Sequence, residues 1–218
     1  MRRKRAMRSR KSRALRWLAA LCLLVAACHF TDIYVLTLGR TLERQDQYWL
    51  TGQTELDEVV RDPYCQEGGI GVVTASWNNR VVSLGLSRWT PLRGWVPGLS
   101  WPVERTGGAV DGAAAYYSWQ GGREEPERFP YIVYGIVNDP SVTEVRLTCE
   151  VLSSSAVRQE DLALPVEIRT GDDGHRYFLT SFVASGPCDI TYSAAGSGED
   201  VTGDIESIIS LIYDWPDM

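Results

Sequence analysis

The first forty residues constrain this chain most, because a basic start is followed by an apolar run. Nine Arg or Lys side chains and no acid lie between Met1 and Arg16, and residues 17–28 are apolar. A cationic flank before a hydrophobic segment is typical of a signal sequence or of a membrane anchor whose positive end stays in the cytoplasm. The sequence therefore predicts a basic cytoplasmic tail over residues 1–16 and a chain that continues into or across a membrane.

The distribution of charge agrees with a division at that membrane. The whole chain carries a net charge of −6, of which residues 1–16 contribute +9, so residues 17–218 carry −15. A body this acidic lacks the basic footprint that phosphate backbones require. We therefore expect no nucleic-acid partner, and we interpret the basic start as part of the membrane signal.

Three interpretations of the apolar segment stay open. In the first, which we favour, residues 17–38 form one uncleaved transmembrane helix, close to the ~20 residues that cross a bilayer core. In the second, Val25-Ala-Ala-Cys28 resembles the lipidation motif of bacterial lipoproteins, and Cys28 carries the lipid. In the third, a signal peptidase cuts after Ala27 or nearby. Each places residues 40–218 outside the cytoplasm.

Residues 39–67 mix apolar and charged side chains and predict a short helical stalk or linker. The sequence Thr54-Glu-Leu-Asp57 is a loose capping box that would open a helix. Asp62-Pro63 would end it, because the residue before a proline avoids the α region.

Residues 68–218 show the two-residue period of half-buried strands. Residues 70–77 and 80–88 flank Asn78-Asn79 and predict a hairpin, since asparagine tolerates the positive φ of a tight turn. Turn residues recur between these segments, with no helical period, which predicts an antiparallel β-sandwich-like domain or a partly closed barrel. Further strands are expected at 114–119, 131–137, 144–152, 162–169, 177–183, 189–194 and 205–213.

One segment of fourteen residues carries a family resemblance. Residues 134–147 run Tyr-Gly-Ile-Val-Asn-Asp-Pro-Ser-Val-Thr-Glu-Val-Arg-Leu, a strand end, an Asn-Asp-Pro turn and the start of another strand. The segment resembles one in uncharacterised bacterial membrane-anchored or lipid-anchored extracytoplasmic proteins. The resemblance implies a β-fold outside the cytoplasm and no particular chemistry.

Residues that could carry catalysis are few. His175 is the single imidazole beyond the apolar segment, and it follows the turn Gly171-Asp-Asp-Gly174. A catalytic base needs a partner within hydrogen-bond reach, and a lone histidine after a turn is typically solvated. No Gly-x-Ser-x-Gly elbow is present. We therefore expect no catalytic residue, no metal and no cofactor.

The cysteines leave several pairings open. Cys149 and Cys188 lie in or beside predicted strands and could form a disulfide. Such a bond would close a loop of about 40 residues and contribute about 3–4 kcal/mol. Cys65 could instead pair with either one, and spacing alone does not exclude three reduced thiols.

The tryptophans are the most unusual feature of the body. Trp89, Trp95 and Trp101 recur every six residues, and intervening prolines predict an extended loop or a set of edge strands. In one interpretation the rings fill the core. In the other they join Arg93 in an exposed aromatic platform that binds a sugar, a protein or the membrane surface.

Taken together, these features predict a membrane-anchored extracytoplasmic interaction or sensing module without catalytic activity. Its expected partner is another envelope protein. The first alternative is a cell-wall glycan-binding module that uses the tryptophans, and the second is an envelope hydrolase that uses His175.

Overall fold

A computed structural model describes residues 2–31, 34–62, 70–118, 129–151, 163–196 and 200–212 of this chain. It is mainly β, with antiparallel sheets behind an N-terminal apolar helix, and this confirms the expected class. The helices are α1 (Arg2–Phe30) and α2 (Leu38–Trp49). The strands are β1 (Glu55–Arg61), β2 (Ile70–Trp77), β3 (Val81–Thr90), β4 (Gly94–Glu104), β5 (Val110–Ser118), β6 (Phe129–Val137), β7 (Glu144–Val151), β8 (Leu164–Val166), β9 (Arg169–Thr170), β10 (Arg176–Ala184), β11 (Cys188–Ala195) and β12 (Val201–Ile212).

The strands form two sheets. The first has the order β1-β2-β3-β4, and the second has the order β8-β7-β11-β12-β5-β6-β10-β9. Neighbouring strands run antiparallel, as in the β2–β3 hairpin, while β12 runs parallel to β5. The predicted hairpin around Asn78-Asn79 is confirmed.

Strand β6 lies at the centre of the packing because both of its faces are buried. Residues 130–137 are all buried, which matches their nearly continuous apolar sequence. Alternate side chains point to opposite faces of a strand. On one face Ile132, Tyr134 and Ile136 join a cluster with Val73, Val82, Leu84 and Val103 of the first sheet. On the other face Tyr131, Val133 and Val137 join a cluster with Leu147, Cys149, Ile190 and Tyr192.

The apolar segment at the N-terminus ends earlier than the predicted 17–38. Helix α1 ends at Phe30, and the Tyr34 N–H donates to the Cys28 carbonyl (3.0 Å), which turns the chain. Val35 is then buried against β4. The chain after the helix therefore docks on the sheet through Val35. Within the described parts of the chain, one helical stretch, Ser12–Phe30, is long and apolar enough to cross a membrane or to act as a signal.

The helix expected to open at Thr54 is absent, and residues 55–61 form strand β1. The Thr54 N–H and hydroxyl both donate to the Asp46 carboxylate (2.8 and 2.9 Å), so this threonine closes the turn after α2. Strand β1 pairs with β2 along its length. The segment predicted as a stalk therefore contributes a strand to the first sheet.

Strand β4 occupies the segment that was expected to be a loop or edge strands. It is the last strand of the first sheet, where prolines are tolerated because one side needs no N–H donor. Helix α2 lies across this part of the sheet, where the Gln45 side-chain amide donates to the Leu86 carbonyl (3.0 Å).

Candidate functional site

A cluster of polar side chains lies between the two sheets and begins with a bulge in β1. Leu56 pairs with Ser76 and Glu58 pairs with Ala75, so Asp57 is the extra residue on β1. A bulge redirects the side chain that it inserts. The Asp57 carboxylate accepts a hydrogen bond from the Tyr134 hydroxyl of β6 (2.5 Å), and only 5% of its side chain is exposed.

The imidazole of His175 completes this cluster. Its Nε2 lies 2.8 Å from Asp57 Oδ1, a charge contact whose angle falls outside hydrogen-bond geometry. Its Nδ1 contacts the Asp173 carboxylate from the preceding turn. The side chain is 12% exposed. The expectation of a solvated surface histidine was therefore wrong, because the turn folds the ring back between the sheets.

The protonation of His175 reflects two opposing effects. Burial lowers its pKa, while the hydrogen bond to Asp173 and the negative charges of Asp57 and Asp173 raise it, and the net pKa lies above the ordinary value. The hydrogen bond from His175 lowers the pKa of Asp173. The cluster thus favours an imidazolium between two carboxylates.

Aromatic rings enclose the imidazole. The Trp77 ring centroid lies 4.5 Å from that of His175, and the Tyr177 centroid lies 5.5 Å away. The Arg105 guanidinium lies over the Trp77 ring, 5.3 Å from its centroid. We name Asp57, Trp77, Tyr134, Asp173, His175 and Tyr177 the inter-sheet cluster.

A second polar network lies beside it, at the turn before β5. Asp111 accepts hydrogen bonds from Arg105, Thr106 and Asn138. Burial raises the pKa of Asp111, but these hydrogen bonds outweigh it and hold the pKa below the ordinary value. Asn138 also donates to the Gly108 carbonyl (2.8 Å), so the Asn-Asp-Pro turn of residues 138–140 has a structural explanation.

A groove of about 350 Å³ runs between β1 and β10. Glu58 of β1 pairs with Arg169 of β9 at 2.5 Å, which joins the two sheets at this groove. Strand β9 pairs only with Arg176 and Tyr177 of β10. Among the described residues, the rest of that edge of β10 therefore has no pairing strand. The groove is lined by charged Glu58, Arg61 and Arg169 and by apolar Val60, Leu179 and Val183.

The three tryptophans of the predicted platform do not share one face. Trp95 pairs directly with Trp89, whereas Trp101 pairs with Leu84 and packs against the core. The register changes between these pairs, because β4 has one more residue than β3 between Ser87 and Gly85. The extra residue reverses the side-chain alternation that a regular six-residue spacing would keep. Arg93 lies in the turn beside Trp89 and Trp95 and is exposed.

Two cysteines of the body lie in neighbouring strands. Cys149 of β7 and Cys188 of β11 form a disulfide, with their Cα atoms 5.9 Å apart. Cys65 lies outside the described residues. Cys28, the candidate for lipidation, lies in the last turns of α1, where its sulfur is a free thiol.

Sequence reasoning missed the inter-sheet cluster. Strand β1 carries three acidic side chains and no regular alternation, so Asp57 is not distinguished from its neighbours in the sequence, and the cluster depends on a bulge that no local pattern marks. In the described regions, no group of three or more His, Cys, Asp or Glu side chains is placed to hold a metal ion.

Comparisons with protein-family models, with curated proteins and with solved structures give no match to this chain.

Proposed function

We propose that this protein is a single-pass membrane protein whose β-sandwich-like domain lies outside the cytoplasm and serves as a non-catalytic interaction module. The observation that carries the proposal is the attachment of the domain to an exposed apolar helix. None of the window Ser12–Phe30 is buried against the domain, and its N-terminal flank is basic. A positive flank favours the cytoplasmic side.

The state of His175 supports a non-catalytic role. Both of its ring nitrogens contact carboxylates, Nδ1 with Asp173 and Nε2 with Asp57. A general base needs a nitrogen that reaches the proton of a substrate. Since both ring nitrogens of this imidazole contact carboxylates, we propose a structural role for it. This argues against the hydrolase alternative, in which His175 would be the catalytic base.

The groove between β1 and β10 is the surface that we assign to a partner. The open edge of β10 presents backbone groups that an extended segment can pair with, as in recognition by strand addition. The groove combines apolar Val183, which is 47% exposed, with charged Arg61 and Glu58. We propose that it takes an extended segment of another envelope protein.

Topology is tested first, in intact cells and in cells made permeable. We expect external protease to degrade the β-domain in intact cells, and alkaline carbonate to leave the protein in the membrane. Protection of the domain in intact cells would contradict the orientation. Mass spectrometry of the mature N-terminus distinguishes a transmembrane anchor from a lipid anchor. A mature chain that starts at a lipidated Cys28 would show that a lipid holds the protein at the membrane and that no transmembrane helix is present.

The groove is tested with a photo-crosslinking residue placed at Val183 in native membranes. The matched control is Val201 of β12, an exposed valine (42%) outside the groove. We expect one discrete protein adduct from position 183 and none from position 201. Identical adduct patterns at the two positions, or no adduct at position 183, would contradict the assignment.

The glycan-binding alternative now rests on Trp89 and Trp95, which lie side by side. Two adjacent rings are enough to stack on a sugar, so the alternative predicts a change in tryptophan emission when cell-wall fragments are added. Unchanged emission would exclude it.

A further inference from the structure

The end of the apolar helix is tied to the segment that follows it. The Tyr34 N–H donates to the Cys28 carbonyl (3.0 Å), and the Leu36 N–H donates to Nδ1 of His29 (3.2 Å). Both hydrogen bonds hold residues 34–36 against the last turn of α1. The chain therefore turns at the helix end and does not extend away from it.

That segment is in turn bonded to the β3–β4 tip, which we define as residues 89–95. The Val35 N–H donates to the Arg93 carbonyl (3.0 Å), and the Trp95 N–H donates to the Val35 carbonyl (2.8 Å). Gly94 has φ +70°, and a Cβ atom there would lie 2.1 Å from the Val35 carbonyl oxygen. The close approach of the tip to the anchor segment thus requires glycine.

These contacts place the β3–β4 tip at the height of the lipid headgroups when α1 spans a bilayer. The stretch Ser12–Phe30 has 19 residues. It therefore measures about 28 Å, close to the ~30 Å of a hydrocarbon core. Val35 lies five positions after Phe30 in the chain, at most about 18 Å away even when fully extended. The turn at Tyr34 makes the actual separation shorter.

The chemistry of the tip matches a lipid headgroup layer. Leu92 is 89% exposed, and Trp89 and Trp95 are half-buried beside it. Tryptophan is enriched at membrane–water interfaces, where its apolar ring and its N–H meet suitable surroundings. Arg93 carries a positive charge that suits lipid phosphate.

The charge pattern of the chain points the same way. Residues 17–218 carry −15, yet residues 68–103 contain three arginines and no Asp or Glu. Two of these arginines, Arg88 and Arg93, lie in or next to the tip. This distribution favours an approach of the acid-free segment, rather than the acidic remainder of the chain, to anionic phosphates.

We propose that the β3–β4 tip docks into the lipid headgroup layer beside the end of α1 and thereby fixes the orientation of the β-domain on the membrane. This inference rests on the proposed membrane anchor. The occupant of the surface is the phospholipid bilayer itself. The groove between β1 and β10 then stays available to a partner at a defined angle to the membrane.

The test uses the full chain in vesicles of phosphatidylglycerol and phosphatidylethanolamine, with soluble cell-wall glycan fragments added. A photo-crosslinking residue is placed singly at Leu23, Leu92 or Leu50, and the adducts are identified by mass spectrometry. Leu23 lies in α1 and is 72% exposed, while Leu50 follows α2 and is 81% exposed. Position 23 reports the anchor, position 92 the tip and position 50 a matched exposed leucine outside both.

We expect lipid adducts at positions 23 and 92 and not at 50. Lipid at position 23 alone would overturn the docking of the tip while the anchor stands. An absence of lipid at all three positions would overturn the anchor and the docking together. Equal lipid labelling at 92 and 50 would show unspecific contact, and a glycan adduct at 92 would assign the tip to sugar; either result overturns the proposal.

A charge variant provides the second readout. We expect Arg93→Gln to lower the yield of lipid adduct at position 92 about fivefold, because one cationic side chain strengthens binding to an anionic surface by about this factor. The matched control is Arg80→Gln in the exposed β2–β3 turn, which we expect to leave the yield unchanged. Equal yields in the two variants would overturn the role of the tip's charge in docking.

Discussion

At the scale of single residues, His175 and Asp57 matter most because they join the two sheets. Asp57 belongs to β1 of the first sheet, and His175 precedes β10 of the second. Their contact at 2.8 Å is enclosed by the Trp77 and Tyr177 rings, so water screens it less than it would a surface pair. The protonation of one imidazole is thereby coupled to the packing of the two sheets.

We expect the contribution of His175 to the free energy of unfolding to depend on pH. The pKa of His175 is raised in the folded protein. Its contribution is therefore complete below the unfolded-state pKa of about 6.5 and is lost as pH rises through the higher folded-state value. Urea unfolding of the wild type and of His175→Gln between pH 6 and pH 9 checks this. The stability difference between the two proteins should shrink with rising pH, and a constant difference would contradict the coupling.

We expect Asp57→Asn to destabilise the fold by about 2 kcal/mol, because it removes the charged acceptor of the Tyr134 hydroxyl and the negative partner of the imidazolium. The matched control is Asp172→Asn in the exposed turn before His175, where a change within about 0.5 kcal/mol is expected. Thermal unfolding measures both. Equal effects of the two substitutions would show that the inter-sheet cluster contributes nothing specific.

At the scale of elements, irregularities in two strands decide which side chains meet. The bulge in β1 turns Asp57 toward Tyr134, and the extra residue in β4 separates Trp101 from Trp95. A regular two-residue alternation would have left the tryptophans on one face. The strands themselves were predictable from their period, whereas neither irregularity has a sequence signal of its own.

The contact between residues 34–36 and the β3–β4 hairpin gives a prediction at this scale. Gly94→Ala places a Cβ atom against the Val35 carbonyl. Gly107 has the same left-handed backbone, but a Cβ atom there would point into open space. We expect the free energy of unfolding to fall by about 1 kcal/mol in Gly107→Ala, because of the backbone alone, and by about 3 kcal/mol in Gly94→Ala. Thermal unfolding measures the difference, and limited proteolysis near residue 33 reports release of the anchor segment. Similar losses of stability in the two variants, together with equal protection from the protease, would contradict the close contact.

At the scale of the whole molecule, strands β7 and β11 contribute to the hydrophobic cluster on the face of β6 that points away from the first sheet. Strands β7 and β11 are antiparallel neighbours, and the Cys149–Cys188 disulfide joins them within that buried cluster. The disulfide closes a segment with a sequence separation of 39. An oxidised pair in the body also agrees with an extracytoplasmic location.

Removal of this disulfide should cost about 3–4 kcal/mol, since it frees the unfolded chain from a closed loop. The double variant Cys149→Ser, Cys188→Ser tests this by urea unfolding under oxidising conditions. Addition of a thiol reductant should lower the stability of the wild type toward that of the variant and leave the variant unchanged. A reductant effect of equal size on both proteins would contradict the assignment.

Much of the secondary structure was predictable, and the site was not. The predicted strand at 131–137 matches β6, and the predicted strand at 189–194 matches β11, because apolar periodicity is a local property. Strand β1 was predicted as a helix, since its capping pattern is also local and Thr54 uses its hydroxyl for Asp46. His175 was predicted to be solvated because its partners lie far away in the chain or depend on the fold of a turn.

The sequence by itself determined an apolar N-terminal segment with a basic flank, a mainly β body, and the positions of most strands and turns. These properties follow from hydrophobicity and period within short windows. The tertiary structure decided the order of the strands, the burial of His175 and the separation of Trp101 from Trp95. Those features rest on contacts such as Tyr134 with Asp57, 77 residues apart, and Arg169 with Glu58, 111 residues apart. No local pattern encodes such pairs, because they form only when two sheets pack together.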